Sequence, residues 1–504
     1  MRKNAAGISI LLLACITHGC ATVNPKADYA HTAGKVAEVI GREVPEPTAG
    51  SVESAREVEV LLADGLSADE AVQIALLNNP RVRSSFASIG MARADVIQSS
   101  LFSNPNLSLA VRFPDGGGLA GIDAGLGQNI ADLWLIPVRR RAAEAELDRL
   151  ILSVAQEVSA LAFATRTAYF QAVSAERERQ IAAENRDVAA QLVEIADARQ
   201  RAGVGNIIDI NLSHASRLNA ELELRTAALA ASQARRNLAA LLGLDSTLEA
   251  ALIDPLRDPP TWSVEESRLV SLAQASRLDL QSAERGVRAA AAKVEEEKRS
   301  VFSDVEVGIS IERDERRAGG NQNLLAQTVR ESARAGALTI PDFSREADES
   351  EDVMTGPMLS MKLPIFDQNQ AQIARAEYAL QQAVHNRDAL AIEIAQELRS
   401  AHDRARTAWG VAALYRDELQ PLLERNLELS REAYRSGKTP FLSVLATQQQ
   451  LLQSRAKFVQ ALRESVTAVI DLEKAAGRPL RVILENGTAA PEQPAVGTER
   501  GPSR

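Results

Sequence analysis

The chain has almost no cysteine and few aromatic residues. Its only two cysteines, Cys15 and Cys20, lie at the very start of a sequence of 504 residues. The rest of the chain therefore cannot form a disulfide and must be stabilised by packing or assembly. Aromatic residues make up 4% of the sequence, whereas Ala, Glu, Gln, Arg and Leu are abundant. This composition disfavours an aromatic-rich globular core and favours long helices.

Two further absences exclude classes of function. The net charge of −10 gives no broad basic surface, so we expect no nucleic-acid partner. No two histidines stand three or four residues apart, which leaves no helix face for metal ligands, and no nucleophile stands in a catalytic motif. We therefore expect no enzyme activity, no cofactor and no bound metal. The five histidines are His18, His31, His214, His385 and His402.

The N-terminus predicts a lipoprotein signal peptide over residues 1–19. Two basic residues precede an uncharged, mostly apolar stretch that is too short to remain as a membrane helix. A cysteine behind such a stretch is typical of bacterial lipoproteins, in which the thiol receives lipid. We favour Cys20, because it leaves a core of ordinary length; Cys15 and cleavage without lipid are the alternatives. Residues 20–65, with Pro25, Pro45 and Pro47, predict an extended N-terminal tail.

The body of the sequence contains an internal repeat. Phe102 and Phe302 each precede a stretch in which apolar and polar residues alternate, and Gly203 and Gly437 each interrupt a long helical pattern. We therefore predict two copies of one unit, each with two strands and a helical hairpin. The copies cover residues 66–256 and 257–484. The predicted strands are about 105–113, 121–130, 304–312 and 356–364. The predicted hairpins are about 138–242 and 367–476.

The segments between and after these elements are less regular. Ser67 with Glu70 three residues later predicts a helix start. The loop of the second strand pair, about 313–353, is long and acidic, and we interpret it as a flexible exposed loop. Residues 485–504 predict a disordered C-terminal tail.

The motifs, in this order, resemble those of the outer membrane efflux protein family, the TolC-like exit ducts of Gram-negative bacteria. The resemblance covers about residues 60–480. It rests on an opening from Leu66 to Pro80, a strand entry from Asn104 to Leu109, a strand exit from Leu363 to Phe366, and the two hairpins with glycine-marked turns. The resemblance implies a mainly α, internally duplicated fold: a homotrimer with a membrane β-barrel of twelve strands, four per subunit, on a long α-helical coiled-coil periplasmic tunnel.

The resemblance also implies a function. The chain would be an outer-membrane lipoprotein, held in outer-membrane lipid, that passively conducts drugs or metal ions. These would come from an inner-membrane pump of the resistance-nodulation-division type through a periplasmic adapter. Four strands cannot close a barrel alone, so membrane-inserted strands would require several chains. The alternatives are the duct of a type I protein secretion system and a soluble periplasmic coiled-coil scaffold.

The candidate functional residues lie at the two helix breaks. A hairpin must reverse there, and glycine allows the positive φ that this needs. The resemblance implies that these breaks form the periplasmic end, which docks on the adapter and closes as a gate. Asp209 would either cap a helix or belong to a cation-attracting ring. The second break does not predict an acidic ring, because Ser443 and Ala446 stand at the positions where the family has acidic residues. The candidates are Arg201, Gly203, Gly205, Asp209, Arg435, Gly437, Thr439 and Ser443.

Overall fold

A computed structural model describes residues 22–44, 52–113, 120–203, 205–245, 248–257, 266–317, 324–339 and 349–488. The predicted signal peptide, Cys15 and Cys20 lie outside them. The helices before the first strand pair are α1 (Lys26–Ile40), α2 (Val52–Ala63), α3 (Ala68–Asn78) and α4 (Pro80–Ser99). The first pair and its hairpin are β1 (Asn106–Arg112), β2 (Gly121–Asn129), α5 (Asp132–Arg201) and α6 (Ile207–Leu241).

The second copy repeats this order. Its elements are α7 (Glu266–Ser276), α8 (Leu278–Arg299), β3 (Val305–Arg317), α9 (Leu324–Ala335), β4 (Glu349–Met361), α10 (Gln370–Leu414), α11 (Gln420–Arg435), α12 (Phe441–Ala476) and α13 (Leu480–Thr488). The predicted disordered tail therefore starts too early, because α13 runs to residue 488. The rest of that tail lies outside the described residues.

The N-terminal segment is helical, so the prediction of an extended tail over 20–65 is wrong where the structure describes it. Its prolines flank α1 rather than interrupt it, since Pro25 immediately precedes the helix. Gly41 ends α1 at a φ of 74° and donates its N–H to the carbonyl of Ala37. Tyr29 of α1 packs edge-on against Phe86, with ring centroids 5.5 Å apart. The helix is therefore docked on α4 rather than extended.

Helix α3 begins as its sequence predicts. The Ser67 hydroxyl accepts a hydrogen bond from the Glu70 N–H at 3.2 Å, and the Glu70 carboxylate accepts one from the Ser67 N–H at 2.8 Å. The hydrogen bond from the Ser67 side chain is the main cause that lowers the pKa of Glu70. The predicted helix start at Ser67 is confirmed as a capping box.

Helix α5 begins before the predicted hairpin start at about 138. It starts at Asp132 and contains Pro137 in its second turn. Near a helix start a proline removes only one hydrogen bond, here the one that would reach Leu133. The buried Asp132 carboxylate accepts the N–H of Ser103 at 2.7 Å and so fixes the end of the preceding segment against the helix.

The four strands form one antiparallel sheet in the order β1-β2-β3-β4. Leu126 of β2 lies opposite both Leu107 of β1 and Ile309 of β3. Period two places these residues with Leu359 on one face, and that face is exposed, with Leu107 at 75% and Leu359 at 71%. The sheet therefore presents an apolar surface that nothing in the described chain covers.

The second strand pair is longer than predicted, and the loop at about 313–353 is only partly irregular. Strand pairing continues to Arg317 opposite Glu349, and α9 follows β3 and precedes β4 along the chain. Backbone hydrogen bonds continue past Ile311, but the residues beyond it are mostly charged. The apolar alternation that marks a strand in the sequence therefore stops before the strand itself.

The chain divides into two compact units, and neither coincides with one copy of the repeat. One comprises Met1–Asp95, Glu144–Ala289 and Gln381–Arg504; the other comprises Val96–Ala143 and Ala290–Leu380. The first unit holds the helical cores, and one of them surrounds Tyr169, Leu66 and Leu238. Among the described helices, none has both the length and the apolar content needed to cross a membrane.

Candidate functional site

The first helix reversal links α5 to α6 and contains two glycines with different roles. Gly203 has a φ of 77° and donates its N–H to the Gln200 carbonyl at 2.9 Å, while open space surrounds its α-carbon. Gly203 is therefore needed for its backbone angle. Gly205 is needed for space, because a Cβ there would lie 2.5 Å from the backbone nitrogen of Gln200. Arg201, the last residue of α5, is exposed.

Asn206, rather than Asp209, caps α6. The Asn206 side-chain oxygen accepts the N–H of Ile208 at 3.0 Å. Asp209 lies in the first turn, where its own N–H donates to the Asn206 carbonyl, and its side chain is half-buried. The capping alternative for Asp209 is therefore wrong. A carboxylate in this first turn still interacts favourably with the positive end of the helix dipole.

The second reversal links α11 to α12. Gly437 has a φ of 71° in open space, and the Lys438 N–H reaches back to the Ala433 carbonyl at 2.9 Å. This hydrogen bond over five residues, with a left-handed glycine inside it, is a standard helix ending. Pro440 then fixes the backbone before α12, which starts at Phe441.

The remaining candidates of the second reversal are placed around that ending. Arg435 is the last residue of α11. Thr439 is half-buried, and its hydroxyl has no hydrogen-bond partner among the described residues. Ser443 lies in the first turn of α12 and donates its N–H to the Pro440 carbonyl at 3.1 Å.

Tyr434 joins the two reversals. Its ring lies 4.5 Å from the guanidinium carbon of Arg199 on α5 and 5.6 Å from the ring of Phe441 on α12. Burial raises the pKa of Tyr434, and the charge of Asp209 raises it further, whereas that of Arg199 lowers it. The tyrosine thus contacts a cation from the end of α5 and is also influenced by the charge of a carboxylate at the start of α6.

The contact between Arg199 and Tyr434 leaves buried polar atoms without hydrogen bonds. The Tyr434 hydroxyl and the Arg199 Nε are buried without a hydrogen-bond partner in the described part of the chain. Buried polar atoms of this kind each cost about 1–3 kcal/mol. Arg199 and Tyr434 can therefore separate without breaking a hydrogen bond between them, as residues at a gate must do when it opens.

The rim of the reversals is apolar and exposed. Ile207 and Ile208 start α6, Leu442 lies next to the start of α12, and all three are exposed. Exposed aliphatic side chains clustered at chain reversals are typical of a protein-binding surface. In the residues that the structure describes, no group of three His, Cys, Asp or Glu side chains could hold a metal ion.

Sequence reasoning found the backbone of this site but missed part of its chemistry. The glycines and Asp209 lie at the reversals, and the charge of Asp209 acts on Tyr434. The sequence pattern does not identify Arg199, Asn206 or Tyr434 as part of the site. One signal was available, since Arg199 stands four residues before Gly203 and Tyr434 stands three before Gly437.

Comparisons with known proteins agree with this architecture. Residues 269–478 match the family model described as outer membrane efflux protein. The cobalt-zinc-cadmium resistance protein CzcC of Cupriavidus metallidurans is 24% identical over 62% of this chain and 66% of its own length, just under two thirds. Protein CyaE of Bordetella pertussis is 25% identical over 70% of this chain and 72% of its own length.

The fold is also that of solved channel structures. A crystal structure of CusC, a protein that forms a transmembrane channel, superimposes with a TM-score of 0.63. That match has 17% sequence identity and covers 81% of this chain and 91% of the other. At this identity the likeness establishes the fold.

Proposed function

We propose that this chain is the outer-membrane exit duct of a tripartite efflux system, because residues 269–478 match the outer membrane efflux protein family model. In this proposal three copies each give four strands to a twelve-stranded barrel, and their helical hairpins form a periplasmic tunnel. The duct conducts its cargo passively from an inner-membrane pump and a periplasmic adapter to the exterior. It needs no catalysis and no cofactor.

The exposed apolar face of the sheet is the observation that carries this proposal. The sheet has four strands, and within the described residues β1 and β4 each pair on one side only. Unpaired edges beside an apolar face are not stable in lipid, because backbone groups there must be hydrogen-bonded. Copies of the same chain can satisfy them by joining β4 of one to β1 of the next.

The two helix reversals are the proposed periplasmic end. Their exposed rim, Ile207, Ile208 and Leu442, is the surface offered to the adapter. The contact between Tyr434 and Arg199 ties the two hairpins of one subunit together while the gate is closed. Adapter binding would favour the open state by binding it more tightly than the closed one.

Two details of the proposal come from the sequence and from a relative. Lipid on Cys20, with Cys15 as the alternative, would anchor the chain in the outer membrane. The relative CzcC is a cobalt-zinc-cadmium resistance protein, which supports divalent metal ions as the first cargo to test, with drugs as the second.

A matched pair of variants tests membrane insertion of the sheet. Leu109 lies on the apolar face, and its neighbour Ala110 lies on the opposite face. Arginine on a lipid-facing barrel position costs up to about 2–4 kcal/mol, but arginine on a lumen-facing one does not. We expect Leu109→Arg to reduce heat-resistant trimers in outer-membrane fractions and Ala110→Arg to leave them. A detergent-free soluble protein, with both variants behaving alike, would support the periplasmic scaffold instead.

A further inference from the structure

The second hairpin contains an interruption that the first lacks in the described residues. Between α10 and α11, residues Tyr415–Leu419 form one π-helical turn, and the Gln420 N–H donates to the carbonyl of Tyr415, five residues back. Pro421 follows at once. In a regular α-helix its ring would clash with the carbonyl of Asp417, and it has no N–H to donate. The wider turn relieves that clash, so the proline explains the interruption.

Beyond this turn the hairpin has an apolar core largely of its own. We call α11 and the facing part of α12, residues 441–455, the distal arm. Its core is made by Leu423, Leu427 and Tyr434 from α11 with Phe441, Val444 and Leu451 from α12. Among the buried residues of this described cluster, α5 contributes Leu192 alone. The arm is therefore held together more strongly than it is held to the first hairpin.

Ion pairing also ties the arm internally. Arg455 of α12 donates to the Glu424 carboxylate of α11 at 2.9 Å. By contrast, the buried Ser430 hydroxyl and Gln448 amide oxygen of the arm have no hydrogen-bond partner among the described residues. The arm can move as one body without losing the Glu424–Arg455 pair.

A cleft of about 730 Å³ lies beside the interruption. Gln420 and Glu424 line it from α11, while Val173, Gln180 and Glu184 line it from α5. Close-packed interiors leave few voids larger than a water molecule. Space of this size next to a helix interruption leaves room for α11 to shift relative to α5.

We propose that the π-helical turn Tyr415–Leu419 is the hinge on which the distal arm swings when the duct opens, into or away from this cleft. Hinges are a few residues that absorb the backbone change while the parts on either side stay rigid. Helix α12 is continuous opposite the hinge, so the swing is limited to the bending that an unbroken helix allows. The hinge rests on the proposed function, since it assigns the moving part of that gate.

Crosslinking provides the first test. Glu184→Cys with Glu424→Cys, joined by a flexible bismaleimide, bridges the cleft between α5 and α11 one turn beyond the hinge. Glu424→Cys with Arg455→Cys, joined in the same way, is the matched control inside the arm. In single-channel recordings of the purified full-length protein, we expect the first crosslink to lower the open fraction about tenfold or more, as holding one state of a two-state equilibrium does. The control should leave the open fraction unchanged, because the arm moves as one body.

Removing the hinge provides the second test. A π-turn carries one residue more than a regular α-helical turn. Deleting Glu418 together with Pro421→Ala therefore allows one regular α-helix, in which the residues of α10 and α11 keep the faces that they now present. The control is Glu418→Ala with Pro421→Ala, which keeps the chain length. The deletion should reduce openings more than the control does. If this variant fails to assemble, the crosslinks decide.

The outcomes separate the hinge from the function. If the protein with the crosslinked cleft still opens, the hinge is wrong but the proposed function stands. The same conclusion follows if the crosslink inside the arm reduces openings as much as the crosslink across the cleft. An unmodified protein that forms no channel in bilayers would overturn the proposed function and the hinge with it.

Discussion

Arg199 places its guanidinium over the ring of Tyr434, 4.5 Å from the ring centroid, and thereby joins the end of α5 to the end of α11. The two residues are 235 positions apart in sequence and belong to different copies of the repeat. A cation over an aromatic ring is worth about 0.5–2 kcal/mol, depending on how far it is desolvated. This contact is therefore strong enough to bias a gate and weak enough to be released.

Replacing Arg199 should make the duct open more often. In Arg199→Met the cation is lost while the apolar stem remains, so the closed state loses about 0.5–2 kcal/mol. That corresponds to about a 2- to 30-fold rise in the ratio of open to closed channels. Single-channel recording measures it. Tyr434→Phe is the control, because the ring remains and the hydroxyl has no described partner. Equal behaviour of Arg199→Met and the wild type would exclude this contact as a closed-state tie.

Changing Gly437 should disable pumping without preventing assembly. Valine at a φ of 71° is strained by about 1–2 kcal/mol or more, so the reversal must shift. We expect Gly437→Val to lose pump-dependent resistance while trimers persist on gels, and Gly437→Asn, which tolerates this angle, to retain resistance. The variants Gly203→Val and Gly203→Asn test the first reversal with the same measurements. Full resistance in both valine variants would contradict docking through these turns.

Asp209 should contribute to a preference for cations at the periplasmic end. Three copies would place three carboxylates near the opening, which concentrates cations there at low ionic strength. We expect Asp209→Asn to shift the reversal potential in a salt gradient toward that of an unselective pore. Glu221→Gln serves as the control, because Glu221 pairs with Arg225 further along α6. No difference between the two variants would leave Asp209 a structural residue.

Tyr169 should make the helical body sensitive to alkali. Its hydroxyl is buried, donates to the Leu66 carbonyl at 2.7 Å and accepts the Asp254 N–H at 3.0 Å. Burial raises the pKa of Tyr169 to about 12, against 10.0 for a free tyrosine. Because the folded pKa is the higher one, the stabilisation is complete below pH about 10 and is lost as pH rises through 12.

The matching variant is Tyr169→Phe. It leaves the Asp254 N–H unpaired, which costs about 1–3 kcal/mol at pH 8, while the Leu66 carbonyl keeps its hydrogen bond from the Ile253 N–H. It should also lose less stability than the wild type between pH 10 and 12. Urea unfolding of the detergent-solubilised protein at several pH values measures both effects. An equal loss in both proteins would assign the alkaline sensitivity to other groups.

Lipid attachment should depend on one of the two cysteines. We expect Cys20→Ala to lose incorporation of labelled palmitate and Cys15→Ala to keep it, because a lipoprotein signal needs a core of ordinary length before the modified thiol. Fractionation of both variants shows whether anchoring follows the label. Label retained in both variants would mean that neither thiol carries the lipid.

The elements with a clear period were predictable from sequence. The first strand pair and the helical hairpins lie close to their expected places, because alternation and helical periodicity are local properties of the chain. The errors fall where the local signal is weak. Prolines near α1 suggested an extended tail, and charged residues beyond Ile311 hid the extension of β3 and β4.

The sequence by itself determined the repeat, the order of elements and the glycines at which the hairpins turn, since each depends on backbone geometry encoded within a few residues. Only the tertiary structure decided that Asn206 caps α6, that α1 docks on α4, and that Arg199 meets Tyr434. These contacts join residues through packing of distant segments, and no local pattern records which side chains will face each other across a hairpin. The same holds for the cleft beside Pro421, because its lining comes from α5, α6, residues 251–256, α11 and α12, which are distant in sequence.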